Sequence, residues 1–269
     1  MSGEEITSSA NPRVKAAVAL RDRKDRDTRG ESLVDGAREI RRAIAAGVEL
    51  VELFMAPGMI TSDDAQSALA AARARGARAT TVSPHVLARL AFGDRSDGLV
   101  AVIRTPPTNL DRLVLPSRAL VVVAEAVEKP GNLGAILRSA DGAGADALIA
   151  ADPRTDVFNP NAIRASLGTI FSVPIASATT PATIDWLHSH HIAIVVARVD
   201  GTVPYSAADF RGSVAIVLGS EAHGLAGTWS GPATQAVSLP MLGIADSLNV
   251  STTAAVLFYE ALRQRGERA

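Results

Sequence analysis

Polar residues follow apolar runs at several points in the second half of the chain, and the first is the segment 128–145. It joins an apolar run to a predicted helix through Pro130 and Gly131, and Asn132 is placed to cap that helix. Arg138 lies six residues further along. Because the first amides of such a helix face the crevice beyond the strand ends of an open α/β sheet, the segment predicts a ligand site. Taken alone, it is equally consistent with an ordinary strand–helix unit carrying a surface arginine.

Two more segments share this arrangement of an apolar strand followed by an irregular loop. In one, a five-residue strand runs into Gly219, which would let a ligand approach the backbone closely, and Glu221 follows. In the other, residues 238–265, a short strand leads through a loop to a helix capped by Ser247 or Asn249. The loop is small and apolar with few charges, which suits an adenine-binding wall of backbone amides and carbonyls.

Strands and helices alternate around these segments, which predicts a parallel sheet covered on both faces. The first half alternates in the same way and forms a small α/β domain of about 105 residues. The proline-rich stretch TPPTNLDRLVLPS separates the two patterns. We therefore predict an α/β protein with a first domain at 1–105, a linker at 106–118 and a second domain at 119–269.

Composition excludes several classes of function. The chain of 269 residues has no cysteine, so disulfides, thiolate catalysis and cysteine-based zinc sites are excluded. No apolar run approaches the roughly 20 residues that span a bilayer, and the N-terminus lacks the apolar core of a signal peptide. We therefore expect a cytoplasmic protein. The sequence HSHH at 188–191 indicates a polar helix end rather than a metal site, since no carboxylates cluster near it.

A mixed charged run occupies residues 11–42 and carries an excess of four positive charges. Such a run is either a solvated helix face or a surface that contacts phosphates. On the second interpretation the candidate phosphate contacts are Arg23, Lys24, Arg26 and Arg38. A different pattern, GAGADA at 142–147, imitates a dinucleotide fingerprint, but a helix precedes it and a strand follows, which is the reverse of what that fingerprint needs.

In this order and at these spacings, the three segments resemble the three sequence motifs of the SpoU/TrmH family, the ribose-methylating branch of the SPOUT methyltransferases. The resemblance covers roughly residues 119–265. The first half resembles the small RNA-binding domain, similar to a ribosomal-protein fold, that precedes the catalytic domain in many members. The stretch TDVFNPNAIRASLGTIFSVPI is most similar to members that act on 23S ribosomal RNA, including antibiotic-resistance enzymes.

The resemblance implies features that no periodicity predicts. The parallel sheet of the second domain would contain a deep trefoil knot, although knots are very rare in proteins. The protein would be a homodimer through this domain, with each active site drawing on both subunits. The cofactor would be S-adenosylmethionine, bound bent inside the knot, and no metal would be required.

Residue roles follow from the same resemblance. The cofactor would be held around Ala197, Gly219, Leu239, Met241, Gly243, Leu248 and Val250. Catalysis and substrate positioning would fall to Asn132, Arg138, Glu221, Ser247 and Asn249. Arg164 would lie near the target phosphate or the cofactor carboxylate, and Lys129, which stands where many members have an acid, would adjoin the RNA.

Arg138 matches the arginine thought to activate the ribose 2′-hydroxyl. Arginine normally stays protonated, so acting as a base would be costly. Stabilising the developing alkoxide, while an RNA phosphate oxygen takes the proton, fits equally well. The predicted function is 2′-O-methylation of 23S ribosomal RNA. The alternatives are a tRNA 2′-O-methyltransferase of the same family and a non-catalytic RNA-binding protein on this scaffold.

Overall fold

The computed structural model describes residues 5–92, 97–220, 224–225, 227–231 and 233–266. The chain forms two compact units, of which the first consists of Met1–Pro106 and Phe158–Ser172. The second consists of Pro107–Val157 and Val173–Ala269. This division falls next to the predicted linker at 106–118. It differs from the predicted domains in two respects. Residues 107–118, predicted as a linker, belong to the second unit, and residues 158–172, predicted in the second domain, belong to the first unit.

The first unit contains a four-stranded sheet in the order β1-β4-β2-β3. Its elements are α1 (Pro12–Ala19), α2 (Arg23–Arg29), β1 (Glu31–Asp35), α3 (Ala37–Ala45), β2 (Leu50–Met55), α4 (Asp63–Ala74), β3 (Ala79–Thr81), α5 (Pro84–Leu90) and β4 (Leu99–Arg104). Strand β4 is antiparallel to β1 and β2, and β3 pairs with β2 in parallel. Asn11 caps α1, since its Oδ1 accepts the backbone N–H of Arg13 at 2.9 Å. Apolar side chains of α1 and α5 share one buried cluster with this sheet.

The second unit is built on a seven-stranded sheet in which every neighbouring pair is parallel, in the order β7-β6-β5-β10-β8-β11-β9. Its elements begin with β5 (Leu120–Glu125), α6 (Pro130–Gly142) and β6 (Ala147–Ala151). The chain then passes through α7 (Pro160–Ala165), which belongs to the first unit. The remaining elements are β7 (Ile175–Ala178), α8 (Thr180–Ser189), β8 (Ala193–Ala197), β9 (Val203–Pro204), β10 (Val214–Leu218), β11 (Thr234–Ser238) and α9 (Val250–Arg265).

The two central strands of this sheet, β5 and β10, are buried along their whole length, as their continuous apolar runs predict. Helix α8 contributes Leu187 to a cluster that also holds Val121, Val123 and Trp229. Helix α9 packs against α6 and β10. The prediction of a parallel-sheet α/β unit is therefore confirmed. Within the described ranges, none of the helices combines the length and hydropathy that a bilayer crossing would need.

Specific long-range bonds place residues 158–172 in the first unit. The hydroxyl of Ser32 donates to the carbonyl of Phe158 at 2.6 Å, and Arg42 Nη1 donates to the carbonyl of Leu167 at 2.9 Å. Helix α7 also contacts β1. These partners are more than a hundred residues apart in sequence, so hydrophobic periodicity carries no information about them. The predicted domain boundary therefore left residues 158–172 in the second domain.

Candidate cofactor and RNA site

The first of the three segments leaves β5 at Glu125 and enters α6 at Pro130. Lys129 occupies the N-cap position, and no side chain in the described part of the chain caps this helix end. Asn132 was predicted to be the cap, which is wrong, because the helix begins two residues earlier. Pro130 explains this start, since its fixed φ and missing N–H suit the first helical position. Arg138 is exposed on the same helix.

The second segment begins at the end of β10, where Ser220 bonds to Gly224. Ser220 and Gly224 exchange two backbone hydrogen bonds, at 3.1 and 3.0 Å, which close the base of a short loop. A Cβ atom on Gly219 would lie 2.4 Å from the carbonyl of Gly224, so only glycine permits this approach. Glu221, predicted as a site residue, lies outside the described residues.

The third segment connects β11 to α9. Asn249 caps α9, since its Oδ1 accepts the backbone N–H of Ser251 at 2.9 Å, so of the two predicted caps Asn249 is confirmed and Ser247 is not. Across the described ranges, residues 241–248 show no hydrogen bond to another protein group. The backbone donors and acceptors of this loop therefore remain available to a ligand.

The first and third segments meet at two side-chain amides. Asn249 Nδ2 donates to Asn132 Oδ1 at 3.5 Å, although 117 residues separate them. Both residues were predicted as site residues, and the structure brings them together where α6 and α9 begin. Paired amides of this kind offer donors and acceptors suited to sugar hydroxyls.

A cavity of about 950 Å³ opens beyond the carboxyl ends of β8, β10 and β11. This size lies in the range of small-molecule sites, roughly 300–1,000 Å³. Most residues predicted around the cofactor line it, namely Ala197, Gly219, Leu239, Met241, Leu248 and Val250. Of the other predicted site residues, Lys129, Ser247 and Asn249 line it too. Gly243, Asn132 and Arg138 are not part of its lining.

The sequence prediction missed a charged pair at the cavity mouth. Arg198 and Asp200 follow β8 and line the cavity. The guanidinium of Arg198 donates to both carboxylate oxygens of Asp200, at 2.8 and 2.9 Å. This hydrogen bonding lowers the pKa of Asp200 and raises the pKa of Arg198. The signal was present in the sequence, because charged residues directly follow the apolar run IAIVVA.

The candidate RNA contacts in the charged run have different environments. Arg26 is only 4 % exposed, and its Nη1 donates to the carbonyls of Leu20 and Arg21, both at 2.8 Å. Its predicted RNA contact is therefore wrong, because the guanidinium is consumed in bonding the turn between α1 and α2. Arg23 pairs with Asp27 and Arg38 with Glu39, and Lys24 is exposed.

Arg164 lies in the first unit, on α7. Its Nη1 is 3.0 Å from Oδ2 of Asp35, a carboxylate that also accepts the backbone N–H of Phe92 at 3.1 Å. Burial raises the pKa of Asp35, an effect that the hydrogen bond from Phe92 and the charge of Arg164 oppose. The side chain of Arg164 keeps 33 % of its surface exposed.

Three arginines that the sequence prediction did not select lie at the end of α4 and in its link to β3: Arg73, Arg75 and Arg78. All three side chains are exposed. None of them forms an ion pair within the described part of the chain, whereas most arginines of the charged run do. They therefore keep their charge available to an anionic partner. Among the described residues, no group of three His, Asp or Glu side chains is arranged to hold a metal ion.

Two protein families match this chain. Residues 119–259 match the SpoU rRNA Methylase family, and residues 11–101 match the MRM3-like substrate binding domain. The chain belongs to the SpoU rRNA methylase family, which confirms the predicted methyltransferase.

Individual relatives agree along nearly the whole chain. The chain is 33 % identical over 268 residues to the 23S rRNA (uridine(2479)-2′-O)-methyltransferase of Streptomyces viridochromogenes, covering 96 % of this chain and 92 % of the relative. A crystal structure described as an RNA 2′-O ribose methyltransferase is 42 % identical with a TM-score of 0.85, covering 97 % of this chain and 99 % of that one. The SpoU methyltransferase AviRb from Streptomyces viridochromogenes, in complex with AdoMet, is 32 % identical with a TM-score of 0.84, covering 95 % and 98 %.

Proposed function

We propose that this chain transfers the methyl group of S-adenosylmethionine to a ribose 2′-hydroxyl of 23S ribosomal RNA. The observation that carries the proposal is the cavity beyond β8, β10 and β11, because it is lined by residues that the family resemblance assigns to the cofactor. The relative from Streptomyces viridochromogenes is named for this reaction on 23S RNA, which supports the same substrate class here. The proposal places the protein in the cytoplasm.

The residues around the cavity fit S-adenosylmethionine. Leu239, Leu248 and Val250 offer apolar contacts to a purine, and the unpaired backbone groups of residues 241–248 offer donors and acceptors to its edge. When bound, the cofactor supplies a methyl group already made electrophilic by the sulfonium. The chain then has to align the ribose oxygen with that methyl group and exclude competing water.

The polar residues around the start of α9 would position the ribose. Asn132 and Asn249 already contact each other, and Ser247 lines the cavity beside them. Glu221 completes this proposed set. Arg138 would stabilise the developing alkoxide as a cation, because a guanidinium gives up its proton only at high cost. Replacing Arg138 with alanine should abolish methyl transfer and leave S-adenosylmethionine affinity nearly unchanged, and wild-type-like turnover in that variant would remove Arg138 from the proposal.

A second copy of the chain is part of this proposal. Arg138 is exposed and is not part of the cavity lining. Leu242 and Ile244 are 98 % and 105 % exposed beside the cavity, and Tyr259 on α9 is 52 % exposed. Leu242 and Ile244 lie two residues apart in one loop, and exposed apolar side chains that lie close together mark interaction surfaces. We propose that the partner covers them and brings its own Arg138 to the cavity.

A mixed-dimer experiment tests that arrangement. Arg138→Ala and a variant disabled in the cavity, Gly219→Val, should each be inactive alone. Mixed after dissociation, they should regain methyl transfer, since one of the two sites in each heterodimer combines an intact cavity with an intact Arg138. A monomeric mass in solution, or inactive mixtures of folded heterodimers, would contradict the shared site.

The first unit would select the RNA. The remaining candidates from the charged run are Arg23, Lys24 and Arg38, with Arg164 on α7. We add Arg73, Arg75 and Arg78, which are exposed and form no ion pair among the residues that the structure describes. Neutralising these last three with glutamine should reduce the slope of log affinity against log salt by about 2, since each phosphate contact contributes roughly 0.7–0.9. A charge-matched control changes the ion-paired Arg41, Arg104 and Arg211 to glutamine and should lower the slope much less.

Mapping of 2′-O-methyl groups tests the proposed function most directly. Unmodified total RNA is incubated with the protein and labelled S-adenosylmethionine, and the label is located by fraction and nucleotide. We expect a single labelled position in 23S RNA. Label confined to tRNA would favour the tRNA alternative, and absence of both label and cofactor binding would favour a non-catalytic RNA-binding protein.

A further inference from the structure

A buried carboxylate stands at the carboxyl end of the central strand β5. Glu125 is 3 % exposed, and its Oε1 accepts hydrogen bonds from Thr180 Oγ1 at 2.8 Å and from Trp229 Nε1 at 2.7 Å. Both of these donors are neutral side chains. A carboxylate is kept out of water only where such bonds replace its hydration, so these partners are constrained to remain in place.

The two donors come from separate parts of the second unit. Thr180 is the first residue of α8, and its backbone N–H donates to Asp152 Oδ2 at 2.9 Å, just beyond β6. Trp229 ends a 3-10 turn in the connection from β10 to β11 and is 1 % exposed. One carboxylate oxygen therefore joins the end of β5, the start of α8 and the β10–β11 connection.

That connection also supplies a wall of the cofactor cavity. Gly219, Ser220, Gly224 and Leu225 line the cavity, and Leu225 packs against the same apolar cluster as Trp229. On its other side, Glu125 precedes the short link to Lys129, which lines the cavity from the start of α6. The carboxylate thus lies between two segments whose relative position determines the shape of the cavity.

We propose that Glu125 is a positioning residue that acts through Trp229, fixing the wall formed by Gly219, Ser220, Gly224 and Leu225 relative to the start of α6. Glu125 is absent from the cavity lining, so its effect on the cofactor is indirect. The inference rests on the proposed function, since it assigns the wall to S-adenosylmethionine. The hydrogen bond from Trp229 carries the positioning, whereas the bond from Thr180 holds α8, which does not line the cavity.

Two substitutions separate these bonds. Trp229→Phe keeps a buried aromatic ring but removes its N–H, and Thr180→Val keeps the shape of the side chain but removes its hydroxyl. Each deletes one donor to the same oxygen. We expect Trp229→Phe to weaken S-adenosylmethionine binding by about tenfold, as a lost hydrogen bond to a charged group allows, and Thr180→Val to weaken it by less than about threefold.

Hydrogen exchange supplies a readout that needs neither cofactor nor RNA. The amides of Ser220 and Gly224, which bond across the base of the loop, should exchange faster in Trp229→Phe than in Thr180→Val at matched thermal stability. Glu125→Gln keeps an acceptor without the charge, so its cofactor affinity and exchange should fall between those of the wild type and Trp229→Phe. It also serves as the deciding variant if Trp229→Phe does not fold.

Equal losses of cofactor affinity in Trp229→Phe and Thr180→Val would overturn the inference, as would unchanged exchange at Ser220 and Gly224. In Glu125→Gln, exchange and affinity identical to the wild type would overturn it as well. Failure of the wild-type protein to bind S-adenosylmethionine is a different result and would reject the proposed function itself.

Discussion

The two ends of the parallel sheet in the second unit differ in how their polar groups are bonded. At the amino end, two charged side chains form hydrogen bonds with backbone groups. Arg265 donates to the carbonyls of Phe210, Arg118 and Ala119 at 2.9, 2.7 and 3.0 Å, and Asp146 Oδ2 accepts the N–H of Leu120 at 2.8 Å. At the carboxyl end, residues 241–248 make no such bonds in the part of the chain that the structure describes.

Because of this difference, we expect substitutions at the two ends of the sheet to have different effects. The bonds of Arg265 and Asp146 at the amino end lie within the protein, so they contribute to folding whether or not a ligand is present. The exposed groups of residues 241–248 bond to water in the free protein, and a ligand can take the place of that water. Substitutions at the amino end should therefore change mainly the free energy of unfolding, and substitutions around residues 241–248 should change mainly the affinity for a ligand.

The largest effect is expected at Gly219, where an added Cβ would meet the carbonyl of Gly224 at 2.4 Å. Overpacking of this kind costs ~1–3 kcal/mol, so Gly219→Ala should weaken S-adenosylmethionine binding by about 10- to 100-fold. Isothermal titration of the folded variant measures it. Gly227→Ala is the matched control, because a Cβ there meets no atom within 4 Å. Equal affinities in the two variants would contradict a tightly closed loop base.

Arg265→Ala should instead lower stability and leave cofactor affinity unchanged. Leaving several carbonyls without their donor costs ~1–3 kcal/mol, which lowers the melting temperature by about 3–10 °C. Cofactor affinity of the folded protein should stay within about twofold, since Arg265 lies away from the cavity lining. Arg211→Ala, which removes only an exposed pair with Asp209, should change the melting temperature far less. Loss of cofactor affinity in Arg265→Ala would contradict the expectation that substitutions at the amino end leave binding unchanged.

Two asparagine caps give a third, smaller contrast. Asn249 caps α9 at the cavity and Asn11 caps α1 in the first unit. Alanine at either position should cost ~1 kcal/mol of stability, because a helical N–H loses its acceptor. Only Asn249→Ala should also reduce the turnover number for methyl transfer, by about tenfold, since one lost hydrogen bond to the substrate is worth that much. Similar kinetics in both variants would reduce Asn249 to a structural cap.

The smallest effect compares two arginine–aspartate pairs of the same spacing, Arg198–Asp200 at the cavity and Asp209–Arg211 away from it. Asp200→Asn should weaken cofactor binding by about two- to fivefold, the size of a modest electrostatic contact, and Asp209→Asn should leave it unchanged. Equal affinities in the two variants would remove Arg198 and Asp200 from the site.

The acid dependence of the second pair follows from the pKa of Asp209, which its hydrogen bond from Arg211 lowers to about 2. A lowered carboxyl pKa means that the folded protein binds protons less readily than the unfolded chain. The small stabilisation from this pair is therefore present above pH 3.8 and is lost as the pH falls through about 2. Acid unfolding of Asp209→Asn, compared with the wild type over this interval, measures it.

Local features of the fold were predictable because their determinants are local. The runs at β5 and β10 are apolar throughout, and the structure buries them completely. Asn249 lies next to the helix that it caps. The order of the three motifs also predicted which residues line the cavity, through the family resemblance rather than through periodicity. The trefoil knot, which came from the same source, stays a prediction.

Features that depend on distant partners were not predictable. The burial of Arg26 follows from a turn geometry that the mixed charge pattern does not encode. The bond between Glu125 and Trp229 joins residues 104 positions apart. Likewise, nothing in the sequence around Arg164 identifies Asp35 as its partner. In each case a side chain finds its partner only after the fold has formed.

Because residues 158–172 belong to the first unit, they limit where this protein can be truncated or joined to a relative. A shorter version ending at residue 106 would lack part of its own unit, and one beginning at 107 would carry a segment with nothing to dock on. Chimeras with other family members should therefore transplant 158–172 together with the first 106 residues, as a discontinuous module. In natural variants, substitutions in 158–172 are expected to covary with those on β1 and α3 rather than with their neighbours in the chain.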